Sequence, residues 1–161
     1  MPFKPVEQLP RLTATAISTM PPLIQAHFIQ TIVSRALHGP LAEGHLDFLQ
    51  GKWLLIKVSD AGLAAYFSVR DNKLLCRTHQ QADVRLEGDA LTMAQMACKM
   101  VDPDTLFFRR KLSIRGDTEL GLAVKNLIDD IEIESLPIWA RLPLQEYTRF
   151  SQPNEQSQFA P

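Results

Sequence analysis

Residues 111–130 confine this chain to few architectures, because a one-faced strand runs without slack into a one-faced helix. Leu112 and Ile114 alternate with Lys111, Ser113 and Arg115, the two-residue period of a strand with one apolar and one polar side. Gly116 and Asp117 close the strand, and the Asp117 carboxylate is placed to accept from an unpaired amide of the helix that follows. Leu120, Val124, Leu127, Ile128 and Ile131 then recur at helical spacing, while Lys125, Asp129 and Asp130 face elsewhere. Both stripes are buried when a layer of helix covers a layer of sheet.

The same alternation recurs upstream. Residues 53–58 start apolar on both sides and read as a central strand, followed by a turn at Asp60, Ala61 and Gly62. Leu63, Ala65, Phe67 and Val69 share one side of a second strand, Asp71 and Asn72 turn the chain, and Leu74, Cys76 and Thr78 continue as a third. In a fourth, Ala82, Val84 and Leu86 alternate with Asp83, Arg85 and Glu87. Short turns between closely spaced strands predict an antiparallel meander. Gly88 and Asp89 repeat the strand end and cap of Gly116 and Asp117, too little by itself to establish an internal repeat, and open a helix with Met93, Met96, Ala97 and Met100 on one face. Unbranched thioethers at that spacing either fill a core or line a pocket for an irregular apolar ligand.

On the flanks, Pro21 and Pro22 stiffen the start of a helix whose broad apolar face holds Ile24, Phe28, Ile29, Ile32, Val33, Ala36 and Leu37 and ends at Gly39 and Pro40. Residues 41–48 read as a short helix or turn. Asp102, Pro103 and Asp104 cap a short turn carrying Leu106, Phe107 and Phe108. Leu136, Ile138, Trp139, Leu142 and Leu144 make a further apolar surface divided by Pro137 and Pro143, with Pro143 bending or ending a helix that otherwise runs to Phe150. Residues 1–20 read as an irregular arm with a turn of helix near 11–18, residues 21–150 as one domain, and residues 151–161 as a frayed tail poor in apolar anchors.

Positive side chains number 17 and negative 18, so no bulk charge draws the chain to nucleic acid, and the run Arg109, Arg110, Lys111 reads as solvated charge at an element end. Cys76 and Cys98 lie far apart in apolar segments, as reduced thiols do. His27, His38, His45 and His79 lack ligand spacing, the glycines form no phosphate cradle, and no serine elbow is present. The acidic pairs at Asp102 and Asp104, Asp129 and Asp130, and Glu132 and Glu134 read as caps and solvated helix-end charges. These absences predict a protein without catalytic activity, metal or cofactor. No signal-peptide core precedes Arg11, and no apolar run reaches the roughly 20 residues of a membrane span, which predicts a cytoplasmic location.

Residues 102–127, DPDTLFFRRKLSIRGDTELGLAVKNL, together with LDFLQGKWL at 46–54 and QADV at 81–84, carry a resemblance. The chain resembles the sterol carrier protein type two (SCP2) domain family and, within it, bacterial accessory factors of ubiquinone biosynthesis. That resemblance implies an α+β fold, a mainly antiparallel five-stranded sheet covered by helices and enclosing an apolar tunnel. It implies a non-enzymatic role in oxygen-independent ubiquinone synthesis, holding the polyprenyl tail of a quinone precursor or another membrane lipid. The implied partners are the iron-sulfur proteins UbiU and UbiV and other Ubi proteins, with the clusters held by those partners. The candidate lipid-binding residues are Phe28, Ile32, Met93, Met96, Met100, Phe107, Leu120, Val124, Leu127, Trp139 and Leu142. A structural adaptor that carries no ligand is the alternative, with Phe107, Phe108 and the adjoining basic run as its partner surface. The first helix and the Ile138, Trp139, Leu142, Leu144 surface, flanked by Arg35, Arg141 and Arg149, predict peripheral contact with the inner membrane, against closure over the core or a homodimer contact.

Overall fold

The computed structural model describes residues 19–136 and 138–150, the side chains of Trp139, Ala140 and Phe150 excepted. The expectations for most of the arm, for the tail, for Pro137 and for the Trp139 side chain lie outside the described residues. Strands β1 (Leu54–Val58), β2 (Leu63–Arg70), β3 (Lys73–Arg77), β4 (Val84–Gly88) and β5 (Leu112–Gly116) form one sheet in the order β3-β2-β1-β4-β5. The β1-β2, β2-β3 and β4-β5 pairs are antiparallel.

The β1-β4 pair is parallel, so the meander expected through the fourth strand stops at β3 and the sheet is mixed. Alternation marks which side chains of β4 face inward but carries no information about its neighbour. A clasp of backbone and side chain supplies that choice. The Trp53 carbonyl accepts from the amides of Asp83 (2.9 Å) and Val84 (3.2 Å), and the Asp83 carboxylate accepts from the Trp53 amide at 2.8 Å. Residues 78–83 carry the chain from the β3 edge past β2 and β1 to this clasp.

The register places Leu54, Ile56 and Val58 opposite Phe67, Ala65 and Leu63 on one side, and opposite Val84, Leu86 and Gly88 on the other. One apolar face results. Helix α1 (Pro22–Ala36) covers β2 and β3, and α5 (Thr118–Asp130) covers β4 and β5. Between them lies the main core, including Leu46, Leu49, Leu54, Val84, Leu106, Val124 and Leu127. A second cluster under α1 holds Ile29, Ala61, Leu63, Ala65 and Phe67. Helix α1 stops at Ala36, and Gly39 and Pro40 fall inside a short helix α2 (His38–Ala42) instead of ending α1. A proline is tolerated there because first-turn amides have no intrahelical partner.

Helix α3 (Ala90–Ala97) packs against α6 (Ile138–Phe150), and α4 (Pro103–Phe108) against β5 and α5. Asp89, Asp102 and Asp117 cap α3, α4 and α5 by accepting from Thr92, Thr105 and Leu120 amides at 2.7, 3.2 and 3.0 Å. Pro143 does not end α6, which runs to Phe150. The missing amide is offset by packing on α3, where Thr148 is fully buried and donates to the Gln145 carbonyl at 2.9 Å.

Candidate functional site

Of the candidate lipid-binding residues, Met93, Met96, Leu120, Val124 and Leu127 come together: Val124 and Leu127 are buried in the main core, and the other three are partly buried against it. The methionine stripe stops there. Helix α3 ends at Ala97, Lys99 takes a left-handed backbone (φ 55°), and Met100 leaves the helix and is exposed. Ile32 is half-buried, whereas Phe28, Phe107 and Leu142 are exposed on three different helices.

Where the chain turns from α3 through Val101 into the Asp102 cap of α4, it leaves a gap against the end of α5. This cavity has a volume of about 220 Å³ and is lined by Met96, Lys99, Val101, Asp102, Pro103, Ile128 and Asp129. Its floor is apolar and continuous with the core through Met96 and Ile128. Its rim is charged. The Lys99 ammonium donates to the Asp129 carbonyl, a cation placed at the carbonyl end of α5. Nearby, Lys125 on α5 meets Asp104 on α4 at 2.6 Å, and the hydrogen bond to Asp104 holds the lysine pKa above its ordinary value. Two lysines therefore tie α5 to its neighbours, Lys99 from the α3-α4 turn and Lys125 to α4.

A second concavity, of about 620 Å³, lies between α1 and a 3-10 turn at Ile133–Ser135, lined by His27, Gln30, Thr31, Ser34, Arg35, His38 and Ser135. Its lining side chains end in polar groups, although most of the surface they present is carbon. The sequence reading missed Lys99, Val101, Asp102, Pro103, Ile128 and Asp129 as cavity residues. No periodic signal marks the site, because Lys99, Val101 and Asp102 sit between α3 and α4, and the others come from the first turn of α4 and the last turn of α5.

The perturbed groups do not converge on a reaction centre. Burial pushes the Cys76 and Cys98 thiols up, the latter opposed by its hydrogen bond with Thr148. Tyr147 is raised by burial, then by the charges of Asp60 and Asp89. Among the described residues, no group of three or more His, Cys, Asp or Glu is placed to hold a metal ion. No helix among them is long and apolar enough to cross a membrane.

A layer of helices over one side of a five-stranded mixed sheet defines a class. The SCP-2 sterol transfer family matches residues 31–129, and the chain belongs to that family as a non-catalytic member. Over 141 residues it is 40% identical to the ubiquinone biosynthesis accessory factor UbiT of Escherichia coli (strain K12), covering 88% of this chain and 81% of that protein. The same identity and coverage hold for the UbiT of Escherichia coli O157:H7. Among solved structures, a UbiJ-SCP2 ubiquinone synthesis protein superposes with a TM-score of 0.52 at 16% identity, covering 67% of this chain and 95% of that one. This last likeness is one of fold.

Proposed function

We propose that this chain is a lipid-binding accessory factor of ubiquinone biosynthesis that shelters the polyprenyl tail of a quinone precursor, or another membrane lipid, between α3 and α5. The observation that carries the reading is the 40% identity to UbiT across 88% of the chain. The geometry supports it. Covering an apolar tail removes surface from water at roughly 25 cal/mol per Å², and the Met96 and Ile128 floor offers an apolar continuation into the core. A cavity of about 220 Å³ is smaller than the roughly 300–1,000 Å³ of most ligand sites, so a long tail enters by parting α3 from α5. Met93 and Met96 adapt to such a change at low cost because their side chains are unbranched. The charged rim of Lys99, Asp102 and Asp129 then faces the polar head.

Within this reading the factor works in oxygen-independent synthesis, in the cytoplasm and peripherally at the inner membrane, with the iron-sulfur proteins UbiU and UbiV and other Ubi proteins as partners. Native mass spectrometry of protein isolated from cells is expected to reveal bound lipid or an isoprenoid quinone intermediate. Filling the cavity by Met96→Trp is expected to reduce lipid occupancy several-fold with the fold retained by circular dichroism. A clean apoprotein that also refuses added lipid would overturn the carrier role. The adaptor reading is favoured by one feature, the T-shaped Phe107 and Phe108 pair with ring centroids 5.9 Å apart, exposed beside Arg109 and Arg110. It predicts that Phe108→Asp disrupts assembly while Met96→Trp does nothing.

A further inference from the structure

The sheet face opposite the one that α1 and α5 cover has a charge pattern that neither lipid carriage nor the fold requires. Along one cross-strand row, Arg77, Tyr66, Leu55, Arg85 and Arg115 are neighbours in turn. Arg85 stands directly opposite Arg115, and Arg70 directly opposite Lys73, on the same face. Like charges opposed across a ladder destabilise a sheet. All four are exposed, and none has an ion pair among the described residues. Glu87 is already matched with Lys57 at 3.3 Å. This concentration of cations sits on a chain whose net charge is −1.

We infer that this open sheet face is a docking surface for an acidic patch on a different protein. The centre of the face is apolar and aromatic, with Leu55 buried and Trp53, Tyr66 and Leu75 half-buried, and arginines form its rim. That is the anatomy of a protein interface, in which Trp, Tyr and Arg dominate the binding energy. A face-to-face homodimer would oppose arginine with arginine, which excludes a second copy in that arrangement. A bilayer is a poor fit, because none of the exposed large hydrophobic side chains among the described residues lies on this face. Nucleic acid fits poorly as well. The Trp53 ring lies under the Arg77 guanidinium, 5.3 Å from its centroid, and the Tyr66 ring meets His79 edge-on at 6.4 Å, so neither is free to stack on a base. Guanidinium forks prefer carboxylates in pairs. Three strand spacings separate Arg77 from the Arg85 and Arg115 pair, or about 14 Å at roughly 4.8 Å each. The complementary surface therefore carries two carboxylate clusters about that far apart, with an apolar residue between them.

The test is an NMR titration of the full-length chain with a synthetic helical peptide carrying two Glu pairs about eleven residues apart, about three turns and about 16 Å along one helix face, and a Leu on that same face between them. A version with Lys in place of Glu, anionic phosphatidylglycerol vesicles and single-stranded oligo-dT are the comparison probes. The acidic peptide is expected to shift the amides of Leu55, Tyr66, Arg85, Ser113 and Arg115 and to lose affinity about tenfold on Arg85→Glu, the loss of one charge-assisted pair. Phe28→Asp, on the helical side, is expected to leave that affinity unchanged. Independently, Arg115→Glu turns the like pair with Arg85 into an attractive one, and the thermal midpoint is expected to rise. The inference is overturned if the acidic peptide leaves these amides unmoved, if vesicles or oligo-dT bind this face more tightly, or if Arg115→Glu lowers the midpoint.

Discussion

Phe67 is, among the described residues, the largest side chain with no exposed surface, set in β2 among Ile29, Leu63 and Ala65. Phe67→Ala is expected to cost about 3–5 kcal/mol in urea unfolding, a large part of the roughly 5–15 kcal/mol that holds a domain together. The two thiols predict a pH dependence. Burial raises Cys76 and Cys98 in the folded state, so the unfolded chain releases these protons at lower pH than the native one. The stability involved is fully present below the ordinary thiol pKa and is lost as pH climbs through the raised values. Urea midpoints measured from neutral to mildly alkaline pH are expected to fall, and to fall less steeply in a Cys76→Ser, Cys98→Ser variant.

At the scale of elements, the two Gly-Asp junctions prove to be opposite ends of one antiparallel pair, and this accounts for their similarity better than an internal repeat does. Gly88 closes β4 opposite Leu112, Gly116 closes β5 opposite Val84, and each aspartate caps the helix leaving the sheet. At Gly116, with φ of 114°, a side chain would also press on the backbone of Asp83 and Val84. Asp117→Ala is expected to destabilise the protein by about 1 kcal/mol, with Asp117→Ser retaining most of that in thermal unfolding. Caps, strand alternation and the α5 stripe were legible in the sequence because each is fixed by residues within a few positions. The parallel β1-β4 pair was not, since its clasp joins Trp53 to Asp83, 30 residues on. Met100 was read onto the α3 stripe because helical spacing does not register the left-handed turn at Lys99 that ends it. Of the candidate site, the apolar floor was legible from periodicity, while the charged rim depends on where three helix ends meet.

For the molecule as a whole, the apolar residues left outside the core lie apart from the basic sheet face. Met20, Leu23, Ile24 and Phe28 are exposed on and just before α1, and Ile138 and Leu142 on α6. A lipid that loads from the bilayer is expected to be met by α1, which exposes Leu23, Ile24 and Phe28. Vesicle co-sedimentation of the intact chain is expected to fall several-fold on Ile24→Asp, Phe28→Asp, with circular dichroism unchanged; failure of the intact chain to sediment with any lipid composition would remove the membrane from the account. The mixed sheet also sets an order of assembly. The β1-β2-β3 half joins neighbours through tight turns, and hairpins of that kind form in about 1–10 μs. The parallel seam must close a far longer loop, which slows folding. Leu86→Ala, within that seam, is expected to speed unfolding more than it slows refolding in stopped-flow kinetics, and Ala65→Gly in β2 to do the reverse. During synthesis, a chain halted at residue 83 would have the complete β3-β2-β1 half but neither the strand that seals the seam nor the helix that brings Met93 and Met96 over the core.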